Sequence, residues 1–328
     1  MAWRLRLVPV TTNIDFFKAQ YVTFGASMVA MAASVLLVLV MGLNLGIDFK
    51  GGTTIRTEST TPVDVGAYRQ ALAPLDLGDV SIVEVKDIAF RDDQKVAQIR
   101  IQSQEGAEAV TPEIIQQAEA ALQAVDPTIT FAAVESVGPK VSSELIWQAA
   151  LAVVAGSFGI LVYVWLRFEW QFAVGCVAAL IHDVLVTVGV FSLFQLKFDL
   201  TIVAALLTIL GYSVNDTVVI FDRLRENLAK YKAMPLRQMM NLTANETLSR
   251  TIMTASTTLL VLIVLLIWGG DVIRGFVFAM TFGVVVGTYS TLYVAKNIVL
   301  MLGVDRSDKT KKPDGTGPSS NEFANIDA

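Results

Sequence analysis

Residues 200–221 read Leu-Thr-Ile-Val-Ala-Ala-Leu-Leu-Thr-Ile-Leu-Gly-Tyr-Ser-Val-Asn-Asp-Thr-Val-Val-Ile-Phe, with one charge, Asp216, among them. Wound as a helix, such a run extends about 33 Å, enough to cross the hydrocarbon core of a bilayer. The chain has other runs of this kind on both sides. Tyr21 to Leu43, Leu145 to Leu166, Thr251 to Gly270 and Gly275 to Ala295 carry no charge, and Trp170 to Leu196 is interrupted only at His182 and Asp183. Together they predict transmembrane helices at 21–43, 145–166, 170–196, 200–221, 251–270 and 275–302.

Composition agrees. The 328 residues are 54% hydrophobic and 17% charged, with a mean hydropathy of +0.57. Soluble domains carry about 25% charge, so an ordinary soluble enzyme is disfavoured, and so is a disordered chain. Cys176 is the one cysteine, which excludes an internal disulfide and a cysteine-built metal site. A net charge of −5 argues against nucleic-acid binding. No P-loop, HExxH or GxSxG run is present. We therefore expect no enzyme activity, no cofactor and no metal. The first apolar run exceeds the roughly 7–15 residues of a signal-peptide core, so it reads as a retained helix.

Lysine and arginine bias sets the orientation. Arg4, Arg6 and Lys18 precede the first span, and Arg223, Arg225, Lys230, Lys232, Arg237 and Arg250 crowd residues 222–250, read as a cytoplasmic loop. The opposite turns carry only Lys197 and Arg274. Residues 1–20 and 303–328 are expected to be cytoplasmic, the latter as a disordered tail. Residues 44–144 then face outward. Between residues 48 and 144 lie 16 acids and 8 bases, in the order strand, helix, strand, strand, helix, strand. Pro62 and Thr111-Pro112 look like helix starts. That order predicts an α+β domain of the ferredoxin-like, split βαβ kind, inserted between the first two helices of a polytopic α-helical membrane protein. The pairs Gly175-xxx-Ala179 and Gly283-xxx-Gly287 mark close helix packing.

A charge near mid-membrane costs about 2.5–3.5 kcal/mol on insertion scales and calls for a partner or a water path. Asp216 is the leading candidate for a proton or ion site. Tyr212 lies one turn before it, and Asn215 and Thr217 flank it, so these three are expected to support it. Arg250, at the entry to the fifth span, is its expected electrostatic partner. Asp183 is a further candidate, beside His182. Adjacent helical residues point about 100° apart, so these two are not expected to form one paired site.

Three stretches carry a resemblance. Gly46-Ile47-Asp48-Phe49-Lys50-Gly51-Gly52-Thr53 follows the first span, Gly211-Tyr212-Ser213-Val214-Asn215-Asp216-Thr217 runs towards Phe221-Asp222-Arg223-Leu224-Arg225-Glu226-Asn227, and Ser249-Arg250-Thr251 opens the fifth. With these the chain resembles the SecD/SecF family of bacterial protein-export membrane proteins, of the RND superfamily, on its SecF side and over residues 1 to about 303. The resemblance implies a complex with SecD, sometimes fused into one chain. It implies a multi-pass protein of the cell inner membrane with a periplasmic outer domain. The complex would work with the SecYEG translocon, with YajC as a further associate, using the proton-motive force to assist late preprotein translocation and release on the periplasmic side. It also places proton transport on Asp216 and Arg250, and makes Asp48, Gly51 and Gly52 a family motif. Two other readings stand beside this one. An RND-like exporter half for lipids or small molecules would use the same buried acid, though with a larger outer domain. A passive translocon scaffold would use Asp216 only as a structural hydrogen-bonding group.

Overall fold

The computed structural model describes residues 9, 12–78, 80–85, 94–102 and 110–304, apart from the side chains at 139, 140 and 271. Arg4, Arg6 and the tail from residue 305 lie outside the described residues. The chain opens with α1 (Gln20–Met41), β1 (Asn44–Leu45), α2 (Ile47–Lys50) and β2 (Gly52–Ser59). It continues through α3 (Val65–Leu72), β3 (Val80–Val85), β4 (Lys95–Gln102), α4 (Pro112–Gln123) and β5 (Thr130–Val137). The remainder is α5 (Pro139–Arg167), α6 (Trp170–Leu193), β6 (Lys197–Phe198), α7 (Leu200–Lys230), α8 (Leu236–Trp268), α9 (Asp271–Ser290) and α10 (Lys296–Leu302). A π-helical stretch, Thr291–Ala295, joins the last two.

Among the described residues, six helical segments are long and apolar enough to cross a membrane: α1, α5, α6, α7, α8 and the α9–α10 rod. α1 and α5 leave most of their apolar side chains exposed, as lipid-facing helices do, whereas α6 and α7 are the most buried. Close approach depends on small residues. A Cβ at Gly175 would meet Val299 Cγ2 at 2.7 Å and the Ala295 carbonyl oxygen at 2.9 Å, and one at Gly283 would overlap the Ile209 side chain.

The segment 222–250, expected as a loop, is mostly helix. α7 runs to Lys230 and α8 begins at Leu236, leaving residues 231–235 as the turn. The polar residues there have helical spacing and zip the two helices together. Arg223 donates to Glu226 (2.6 Å) and Glu246 (2.8 Å), and Asn227 donates to Thr243 (2.9 Å) and Glu246 (2.8 Å). Charge that would be costly in lipid becomes a hydrated helical hairpin beyond it.

The outer unit carries an antiparallel sheet in the order β3-β4-β2-β5, with α3 and α4 packed on one face. Strand alternation turns Ile55, Ile82, Ile99 and Ile101 towards Tyr68, Leu72, Ala118 and Leu122 of the helices. α3 starts later than Pro62 suggested, because Asp64 caps it by accepting from the Ala67 amide at 2.9 Å. Pro112 does occupy the first turn of α4.

One joint ties this unit to the bundle. β1 pairs in parallel with β6. Asp48 Oδ2 accepts the Leu200 amide at 3.0 Å, closing the N-terminus of α7. Gly51 and Gly52 follow with φ of +73° and +125°, backbone that a side chain would strain. These glycines let the chain turn straight from α2 into β2.

Candidate functional site

Polar side chains converge inside the bundle where α6, α7, α8 and α9 meet. Asp216 is 9% exposed. Its Oδ1 accepts from the Thr251 hydroxyl at 2.7 Å, while Oδ2 is buried without a hydrogen-bond partner among the described residues. Among the described residues none of the expected supports hydrogen-bonds to it. Asn215 is exposed and Tyr212 half-buried. Thr217 pairs instead with Thr291 (Oγ1–Oγ1 2.9 Å) at the start of the π-helical stretch. The reason is angular: residues beside Asp216 on α7 point away from it, so its partner has to come from another helix.

Arg250 follows the same rule. It precedes Thr251 on α8, and since Thr251 faces Asp216, Arg250 is turned one step round the helix. It is exposed and makes no ion pair by contact with Asp216 among the described residues, though its charge acts on Asp216 through space. It lines a groove of about 550 Å³ between α5, α7 and α8, at the end of the bundle away from the sheet. The groove's acids are held by other cations: Asp222 by Arg167 at 3.2 Å, and Glu226 and Glu246 by Arg223.

Asp183 is fully buried. Its Oδ2 accepts from Ser213 on α7 (2.7 Å) and Ser290 at the end of α9 (2.9 Å), and its Oδ1 lies 3.0 Å from His182 Nδ1. His182 and Asp183 therefore do form a pair, contrary to expectation. Their Cα–Cβ bonds diverge, but the imidazole folds back far enough to bring Nδ1 to the carboxylate. Gly287 makes room, since a Cβ there would sit 3.3 Å from Ser213 Oγ and 3.5 Å from Asp183 Oδ2.

Sequence reasoning missed Thr251, Ser213, Ser290 and Thr291. It also missed Lys296, which is 2% exposed and stands over the Phe16 and Phe17 rings at 4.6 and 4.4 Å from their centroids. The two phenylalanines belong to an N-terminal segment laced to α8, where Asn245 Oδ1 accepts the Ile14 amide (2.8 Å) and Asn241 Oδ1 the Phe16 amide (2.9 Å). Among the described residues no cluster of His, Cys, Asp and Glu could hold a metal ion.

Comparison with known proteins bears on this arrangement. Residues 117–305 match the family described as protein export membrane protein SecD/SecF, C-terminal, and residues 37–63 match the SecD/SecF GG motif. The chain is 67% identical to protein translocase subunit SecF of Cereibacter sphaeroides over 328 residues, covering all of both chains. It is 65% identical to that of Rhodobacter capsulatus over 319 residues, covering 95% of this chain and 96% of the relative. The crystal structure of SecDF, a translocon-associated membrane protein from Thermus thermophilus, superposes with a TM-score of 0.79 at 34% identity. That match covers 90% of this chain but only 39% of the longer SecDF chain.

Proposed function

The chain belongs to the SecD/SecF family of protein-export membrane proteins, and we propose that this multi-pass translocase subunit is the SecF-type half of a proton-driven machine. Its other half is a SecD-type partner, as the fused SecDF relatives suggest. The pair acts beside SecYEG, with YajC as a further associate, late in preprotein translocation, and releases the preprotein on the periplasmic side. It lies in the inner membrane with both termini cytoplasmic and a ferredoxin-like periplasmic unit, a reading supported by the strand order β3-β4-β2-β5. It is a transport subunit without cofactor or enzymatic step.

The observation that carries this is the state of Asp216: one oxygen held by Thr251, the other buried and open. Such a carboxyl takes up and gives up a proton at Oδ2 without dismantling its own support. Arg250, next to Thr251 on α8 and without a described ion pair by contact, is its counter-charge. Asp183, with every described contact filled, acts as a fixed node that ties α6 to α7 and α9. One charge moved through 100 mV supplies about 2.3 kcal/mol, enough to bias a two-state movement whose gap is a few kcal/mol.

The test is preprotein release from vesicles holding the complete complex, with and without a proton gradient. Asp216→Asn and Arg250→Ala should each lose the gradient-dependent part of release and keep the rest. If both release like wild type under a gradient, the proton mechanism is wrong. A complex that never conducts protons would point to the scaffold instead.

A further inference from the structure

We propose that the cleft between the outer sheet and the membrane helices binds an anionic phospholipid drawn from the adjacent leaflet. This inference stands apart from the transport reading and needs no proton step.

The cleft encloses about 1040 Å³. Its ceiling is the sheet face that α3 and α4 leave open, and its floor is the outer ends of α6, α7, α8 and α9. Phe194 and Val272, 64% and 76% exposed, line its mouth at the ends of the apolar helices α6 and α9, an opening that suits a lipid tail. Leu266 and Phe278 continue the apolar floor. The shape is that of a socket with a greasy mouth and a polar roof.

The roof supplies an anion's partners. Arg100 on β4 stands directly across from Thr54 on β2. Arg100 is half-buried, so its guanidinium is partly stripped of water, and it makes no described ion pair by contact, the Asp199 carboxylate acting on it only through space. Beside it, Thr54 is 6% exposed and its Oγ1 has no hydrogen-bond partner among the described residues. A buried donor left unpaired is costly; a phosphate drawn to Arg100 would satisfy the Thr54 hydroxyl as well once that side chain turns about χ1 towards the cleft. The acids at the floor are already engaged. Asp48 holds the Leu200 amide, and Asp199 holds the Thr201 amide at 3.1 Å and Lys197 at 3.2 Å. Glu135, across from Thr54 on β5, is the remaining acid of the cleft. It disfavours a doubly charged anion and suits the single charge of a phosphodiester.

The complex, purified with its SecD-type partner, is titrated with phosphatidylglycerol or phosphatidylcholine of matched acyl chains, and bound lipid is counted by native mass spectrometry. Wild type should retain phosphatidylglycerol in preference. Arg100→Gln should weaken it about tenfold and Thr54→Val about threefold. Arg100→Lys should recover most of the loss, and Arg69→Gln, on the exposed side of α3, should change nothing. Thr54→Val removes an unpaired hydroxyl, so its melting temperature should hold or rise while lipid is lost, which separates binding from folding. The proposal is overturned if phosphatidylcholine is retained equally, or if Arg69→Gln and Arg100→Gln lose the same. It is also overturned if free inorganic phosphate or an extended acidic peptide displaces the lipid at equal concentration.

Discussion

Replacing Asp183 tests whether the bundle is held at a single polar node. The carboxylate makes three contacts, to Ser213, Ser290 and His182. Hydrogen bonds between membrane helices average about 0.6 kcal/mol and reach about 1.7 kcal/mol. Asp183→Leu removes the two that cross to other helices and leaves the buried Ser213 hydroxyl unpaired among the described residues, so it should cost about 2–5 kcal/mol. Ser213 would keep no described partner, whereas Ser290 retains the Gly287 carbonyl at 3.1 Å. Asp183→Asn is different. The amide oxygen can keep facing the two hydroxyls while its NH2 turns to His182 Nδ1, so the cost should stay near 1 kcal/mol. Cys176 supplies the assay: it is the chain's one cysteine, fully buried on α6 two turns before Asp183. Thiol labelling in micelles then reports opening of α6. Asp183→Leu should label at least about tenfold faster than wild type, since about 1.4 kcal/mol is a factor of ten, and Asp183→Asn only a few-fold faster. Leu labelling no faster than wild type, or slower than Asn, would refute the node.

Three further outcomes follow from the geometry. Asp126 is buried, which pushes its carboxyl up, but hydrogen bonds from Thr61 and from the Thr128 amide and hydroxyl hold it down to about 2. A folded value below the ordinary 3.8 adds stability above about pH 4 and loses it as pH falls towards about 2. After allowance for screening the amount is roughly 1–2 kcal/mol; hydrogen exchange at β2 and β5 in the full chain should show Asp126→Asn matching wild type only at the acid end. Asp48→Ala removes the acceptor of the Leu200 amide and should cost about 0.5–2 kcal/mol, seen as faster exchange at Leu200, while Thr201, held by Asp199, stays protected. Gly283→Val drives a branched side chain into Ile209 and should destabilise the purified chain by about 1–3 kcal/mol in a melting experiment, with relief in the pair with Ile209→Ala.

Much of the architecture is legible because lipid imposes a coarse rule, one long apolar run per crossing, and all six runs obey it. Asp216 and Asp183 stand out as charges breaking those runs, and Arg250 as the charge at the entry to one. Their partners do not. Hydroxyls are common in membrane helices and usually bond back to their own helix, as Thr208 does to Ala204 and Thr258 to Thr254. Nothing local separates them from Thr251 or Ser290, whose targets lie on other helices. Lys296 is hidden for another reason: it lies inside the predicted span 275–302, and the aromatic pair that covers it, Phe16 and Phe17, comes from the opposite end of the sequence. The hairpin at 222–250 was misjudged because charge density was read as a loop, while the spacing of Arg223 and Glu226 is helical.

The cap at Leu200 and the acid at Asp216 belong to one helix. α7 is unbroken from Leu200 to Lys230, so sixteen positions, about 24 Å of continuous helix, separate the two. A rod of that length has no joint at which a displacement could be absorbed. A tilt begun at the acid therefore arrives undiminished at the Asp48 clasp and the β1–β6 seam, the threshold through which the chain enters the outer unit. Directly beyond that clasp lie Gly51 and Gly52, whose positive φ gives the backbone there a freedom that α7 itself lacks.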